Sequence, residues 1–228
     1  MHERPRSTLL LCELHSHTTW SDGALTPRAL VDLYGEHGFD VLCITDHTHR
    51  SGHPGWRGIP AERFSFYVQE LEREAVRARE LYDLILIPGA ELTDGNDDPA
   101  RSGHALAVGL REFVSLDAGL PEALLTARAA GAALVAAHPS SGDDNGAGLR
   151  APTRLFWQER EALTELVDRF ELVNRHQAFA WVAEERLPAV ATATSTGSST
   201  CSPGRRCCPA PGARMQSSTA SAPTPART

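Results

Sequence analysis

Glu13-Leu14-His15-Ser16-His17-Thr18-Thr19-Trp20-Ser21-Asp22-Gly23 is the stretch on which the reading of this chain turns. His15 and His17 stand two residues apart, so an extended backbone puts both imidazoles on one face. Directly before them runs Thr8-Leu9-Leu10-Leu11-Cys12, an apolar run of strand length. Asp22 follows in a polar segment. Two ring nitrogens and a carboxylate where a buried strand ends make a donor set suited to a divalent transition metal. A pair of surface histidines after a core strand is the ordinary alternative. The rest of the chain has to decide between them.

The same arrangement recurs. Val41-Leu42-Cys43-Ile44-Thr45 reads as a buried strand running into Asp46-His47. Leu84-Ile85-Leu86-Ile87-Pro88 reads as another, ending at Gly89-Ala90-Glu91, and Ala133 to Ala137 runs into His138-Pro139. Residues 104–110, 170–174 and 188–191 read as further strands. Thr26 and Pro27 suit the cap and first position of a helix. Residues 63–82, 120–130, 157–168 and 178–186 read as more helices, and 48–60 as a polar loop. Strands apolar on both faces, alternating with amphipathic helices, predict parallel pairing with right-handed crossovers. Six or seven such units predict a closed or nearly closed α/β barrel, whose chemistry belongs at the C-terminal rim of the strands. His104 is the exception, because it begins its strand.

Composition narrows the partners. The 228 residues suffice for one domain with a sizeable core. A formal net charge of −7 argues against a broad phosphate-tracking surface, so nucleic acid would be met locally, as a substrate. The polar N-terminus is no signal peptide, and no apolar run is long enough to span a bilayer. The expectation is a soluble cytoplasmic protein. Cys12 and Cys43 lie in apolar runs as small buried side chains, and no cysteine pair has zinc-ribbon spacing. There is no lysine.

Taken singly, each polar strand end has a plain explanation. His47 fits a turn histidine, Glu91 an acid at a helix start, His138 the extended residue before a proline, and His104 a satisfied strand-edge histidine. Asp46 could orient a ring as an acceptor behind it. Gathered at one rim, these residues share one explanation, a cluster of metal ions bridged by carboxylate. His2, His37, His49, His53 and His176 are left out as ligands. Arg50, Arg57 and Arg101 are rim arginines that could meet a phosphate, although a solvated loop position is the plainer reading.

The combination resembles the PHP family, named for polymerase and histidinol phosphatase. Leu14-His15-Ser16-His17, Ser21-Asp22-Gly23, Thr45-Asp46-His47, Gly89-Ala90-Glu91, His104 and Ala137-His138-Pro139 carry the resemblance, over about residues 8–191. It implies a distorted (β/α)7 barrel that hydrolyses phosphoesters with two or three divalent metals, usually manganese, iron or zinc. It implies that His15, His17 and Glu91 hold one metal, that Asp22 and His47 hold a second, and that Glu91 bridges to a third on His104 and His138. A metal-bound hydroxide would then attack phosphorus, with Asp22, His47 and Glu91 closest to the chemistry. The substrate would be a small phosphomonoester or a nucleic-acid end, and acidity mildly favours the small substrate. An amidohydrolase-type barrel also starts with His-x-His, but its expected ligand set includes a strand-end lysine. A non-catalytic metal-binding or interaction module is the third reading.

One family motif is missing. An Asp-x-His should follow the last metal-bearing strand, where residues 192–200 contain neither acid nor histidine. From Ala191 onward there is no Leu, Ile, Val, Phe, Tyr, Trp, Asp or Glu, while Ser and Thr number fourteen. The division expected is a PHP-like domain over 1–191, incomplete at its C-terminal end, and a low-complexity, disordered tail over 192–228. A reading-frame shift is a sharper expectation. Ala193 to Thr196, written GCG-ACT-TCC-ACC, yields GAC-TTC-CAC from the last base of the alanine codon, which is Asp-Phe-His. The chain as written would then bind metal less tightly and act weakly.

Overall fold

The computed structural model describes residues 9–52, 57–142, 153–194 and 214–216. In chain order these form β1 (Leu9–Glu13), α1 (Pro27–Glu36), β2 (Val41–Ile44), β3 (His47–His49), α2 (Ala61–Tyr82), β4 (Ile85–Asp94), a 3-10 turn (Pro99–Arg101) and β5 (Gly103–Val108). There follow α3 (Leu120–Ala129), β6 (Ala133–Ala137), α4 (Leu155–Gln158), α5 (Arg160–Leu163), β7 (Arg169–Asn174), β8 (Gln177–Ala178), α6 (Ala180–Glu184), β9 (Ala189–Thr192) and β10 (Arg214–Gln216). Strands β1, β2, β4, β5, β6, β7 and β9 neighbour one another in that order, and make the nearly closed, distorted α/β barrel. No β1–β9 ladder closes it among the described residues. The Ala193 N–H instead donates to the Glu13 carboxylate at 3.2 Å across the gap.

Pairing departs from the all-parallel expectation. β5 runs antiparallel to both β4 and β6, whereas β1–β2, β2–β4, β6–β7 and β7–β9 are parallel. The link from Asp94 to Gly103 holds only a 3-10 turn, too short for the crossover helix that parallel neighbours need. This reversal resolves the His104 exception: an antiparallel strand begins at the rim where its parallel neighbours end. Two boundaries also move. β4 continues past Pro88 to Asp94, so Glu91 lies within a strand rather than after one. Residues 48 and 49, expected in a loop, form β3 together with His47, and the three pair in parallel with Glu91, Leu92 and Thr93. The helix expected over 157–168 is two short helices and a 3-10 turn.

Side-chain parity separates two apolar layers. Ala90 and Leu92 of β4, Ala105 and Ala107 of β5, Leu134 and Ala136 of β6, and Phe170 of β7 pack with the helices in the main core. Leu106, Val135, Ala137 and Val190 form a second cluster on the other face. A strand alternates its faces, so Glu91, His104 and Glu171 share the parity of that inner layer. Helix α1 starts as expected, with Thr26 Oγ1 accepting from the Ala29 N–H and Pro27 at the first position. Tyr67 of α2 is fully buried, and its hydroxyl lies 3.1 Å from the Ile44 carbonyl and 2.9 Å from that of Gly89. It ties the helix to the end of β2 and the middle of β4 beneath the rim. Most of 192–228 lies outside the described residues; Thr192 ends β9, and Arg214–Gln216 pairs antiparallel with β1.

Candidate metal centre

Glu91 is the hub of the rim. Its Oε2 lies 3.2 Å from His15 Nε2, 3.2 Å from His17 Nε2 and 3.1 Å from His47 Nδ1. Its Oε1 lies 2.8 Å from His104 Nδ1 and 3.2 Å from His138 Nε2. A carboxylate has about four lone-pair sites, so five imidazoles exceed what hydrogen bonding can use. Ligand atoms about 2.1 Å from a metal, at octahedral to tetrahedral angles, lie about 3.0–3.4 Å apart. Four of the five Glu91 contacts fall in that range and the His104 contact, at 2.8 Å, lies just below it, so the donor set fits divalent metal. Three donor groups can be drawn: His15, His17 and Glu91; His17, Asp22 and His47; and Glu91, His104 and His138. His17 joins the first two, with Nε2 toward Glu91 and Nδ1 3.4 Å from Asp22.

Local structure fixes each donor. β1 delivers the His15–His17 pair, and Ser16 ties it to β2 through Ser16 Oγ to the Cys43 carbonyl at 2.6 Å. Asp46 then shapes the turn that carries Asp22, accepting from the Thr18 N–H and Thr18 Oγ1 at 2.7 Å each and from Ser21 Oγ. Asp46 therefore braces a loop backbone, and the expectation that it orients a ring is corrected. Gly23 closes the turn so tightly that a Cβ there would come 2.3 Å from the His17 carbonyl oxygen. His47 Nδ1 lies 2.7 Å from Thr93 Oγ1. His138 sits at φ +33°, in the left-handed region, with its backbone N–H given to Glu171.

The charges differ from ring to ring. Burial works against a proton on His15, but Glu171 and Glu91 outweigh it and raise its pKa to about 10. Burial likewise opposes a charged His47, and Glu91 and Asp22 overcome it. On His17 and His104 burial wins, the latter falling to about 4. Burial pushes Glu91 upward, but His47 and His15 hold it well below the usual carboxylate range. Asp22 is also raised by burial and lowered more by His47, to about 2. The rim thus pairs an ionised carboxylate hub with a mixture of neutral and protonated rings.

All seven residues singled out in the sequence, His15, His17, Asp22, His47, Glu91, His104 and His138, meet here. Sequence reasoning missed the layer behind them: Glu13, Thr93, Glu171 and Asn174, all buried. Glu171 is an acid on the inner parity of an otherwise apolar strand, and that was the available signal; a register shift between Glu171 and Val173 brings Asn174, three residues on, against it. Arg50 is committed to Asp94 by a two-pronged ion pair at 2.6 and 2.7 Å, so it is not a free rim cation. His49 lies on β3 with its ring stacked near His47, not in a loop. Arg57, Arg101 and His176 are exposed, and His2 and His53 fall outside the described residues.

Residues 13–147, more than half of the chain, match the PHP domain family. The chain belongs to the PHP domain family. Over 84 residues it is 38% identical to the 5'-3' exoribonuclease Rnm of Salmonella typhimurium, covering 37% of this chain and 23% of that protein. The chain thus matches about a quarter of that relative's length. A two-domain protein from Bacteroides vulgatus, described as containing a predicted PHP-like metal-dependent phosphoesterase, superposes with a TM-score of 0.55 at 21% identity, over 82% of this chain and 52% of that one. An amidohydrolase from Chromobacterium violaceum, with bound sulfate and no metal, gives a TM-score of 0.55 at 14% identity, over 81% and 87%. Both likenesses are of fold. Among the described residues no helix is long and apolar enough to cross a membrane.

Proposed function

We propose that this chain is a metal-dependent phosphoesterase acting on a phosphorylated nucleic-acid end in the cytoplasm, with its activity lowered by the altered C-terminal segment. The observation that carries the reading is the single carboxylate of Glu91 among five imidazoles at ligand spacing. His15, His17, Asp22, His47, Glu91, His104 and His138 would hold two or three divalent ions of the manganese, iron or zinc class. Such ions, when bound, supply a water of lowered pKa and positive charge against phosphoryl oxygens. Asp22 is the most exposed donor, at 44%, and stays ionised above about pH 2. It repels free anions, so a phosphate is admitted only when cation charge offsets it.

Similarity to an exoribonuclease supports a nucleic-acid end over a free metabolite. The net charge of −7 fits local contact with that end rather than tracking of a long strand. A C–N hydrolase of the lysine-bearing type does not suit a chain without lysine. Lowered activity is supported at β9. Thr192 and Thr194, buried and two residues apart, stand at the strand end where the family places Asp-x-His, and neither brings an imidazole or a carboxylate. A frame shift accounts for this, and sequencing of the coding DNA tests it: an intact gene with no Asp-x-His in any downstream frame rejects it. The activity is tested with manganese-loaded protein on a 5'-phosphorylated oligoribonucleotide and on p-nitrophenyl phosphate, beside the frame-restored chain. Turnover by the restored chain, with less by this one, is expected. No turnover by either at full metal occupancy would make the fold a non-catalytic metal-binding module.

A further inference from the structure

Glu171 lies on β7, far along the chain from every donor named above, and it is fully buried. Its Oε1 is 2.7 Å from His15 Nδ1 and 2.6 Å from Thr192 Oγ1. Its Oε2 is 2.6 Å from the His138 backbone N–H and 2.8 Å from Asn174 Nδ2. Four donors fill the roughly four lone-pair sites of an ionised carboxylate. No site is left for a cation, so Glu171 does not belong among the ligands.

We infer that Glu171 is a positioning residue that sets the tautomer of His15 and the backbone of His138, and so aligns two donors on opposite sides of Glu91. This inference rests on the metal-centre reading above. An ionised carboxylate only accepts, so His15 must present Nδ1–H to it. The other ring nitrogen, Nε2, is then the one turned to Glu91 at 3.2 Å, where it could bind a metal once its proton is released to water. The second oxygen holds the His138 N–H at a backbone angle, φ +33°, that a non-glycine residue seldom adopts. This half-buried N–H would be costly to leave without an acceptor, so the carboxylate offsets the strain of the turn. One side chain thereby couples the end of β1 to the end of β6.

Glu171→Gln tests this. A glutamine offers one oxygen and one NH2, so in either orientation its NH2 meets two donors that the carboxylate accepted. The expected result is zinc bound 10–100-fold more weakly than by wild-type protein, measured by chelator competition, with a native circular dichroism spectrum. Unchanged zinc affinity would overturn the inference and leave the metal centre standing. Wild-type protein that takes up no zinc would remove both. If the variant fails to fold, long-range 1H–15N correlation on zinc-loaded wild-type protein decides the matter. His15 protonated at Nδ1 and metal-bound at Nε2 is expected; the opposite assignment overturns the inference.

Discussion

Replacing Glu91 by glutamine removes one oxygen's worth of acceptor and the only charge that faces all five imidazoles. Three rings lie within 3.2 Å of one carboxylate oxygen and two within 3.2 Å of the other, so the remaining carbonyl can serve at most one side. Two of the three donor groups contain Glu91, and at least one of them would fall to two protein ligands. Ligand binding stabilises a fold by RT ln(1 + [L]/Kd), about 2.7 kcal/mol at a hundredfold excess over Kd. For a chain of this size each kcal/mol moves Tm by about 2–4 °C, so saturating manganese should raise the wild-type Tm by roughly 5–11 °C. Glu91→Gln should show less than half that rise, and its metal content should fall by at least one ion per chain. Differential scanning calorimetry with and without manganese, paired with elemental analysis, reads both quantities. A variant with wild-type metal content and the same metal-dependent shift would refute the hub role of Glu91.

Further perturbations bear on the frame around the site. Tyr67→Phe leaves the Ile44 and Gly89 carbonyls without their hydroxyl and should cost about 1–3 kcal/mol, read by urea unfolding. Gly23→Ala forces a Cβ into the His17 and Thr18 backbone, so the turn must open; lower stability and weaker metal binding are expected together. Burial nudges the Asp32 carboxyl up, but Arg77 and Tyr82 hold it below its ordinary value. Its stabilisation is therefore present above the unfolded pKa and lost as pH falls through the folded one. Asp32→Asn should cost a few tenths to about 1 kcal/mol at pH 7, discounted for exposure, and progressively less as acid protonates the wild-type carboxyl. His15 and His47 carry raised pKa values without metal, so zinc uptake near pH 7 should release protons, seen as acidification in weak buffer. Uptake with no proton release would contradict those two assignments.

Much of the fold was legible because the strands announce themselves. Val41 to Ile44 and Leu134 to Ala137 are buried runs of the length and composition that pair inside a sheet. The direction of β5 was not legible from its own residues. Gly103–Val108 reads the same whether it runs up or down, and only the shortness of the link before it excludes a crossover. The length of β4 was missed for a related reason. Pro88-Gly89 looks like a strand end, yet Pro88 pairs with Ile44 in register and Gly89 permits close approach, a Cβ there meeting the Ala107 carbonyl oxygen at 2.9 Å.

The site divides along a different line. Metal-ligand chemistry uses few residue types, so His15, His17, His47 and His138 stand out wherever strands end. The residues that hold those rings in place use common types, and their meaning depends on contacts between distant segments. Glu171 meets His15 across 156 positions of sequence, and Asn174 reaches Thr192 and Thr194 from the neighbouring strand. No local pattern encodes such a meeting. What the sequence does carry is a cost: an acid or amide buried in an apolar strand must find partners or destabilise the barrel. Glu13, Glu171 and Asn174 each meet that condition, so the polar exceptions within otherwise apolar strands mark the supporting layer as reliably as the strand-end histidines mark the donors.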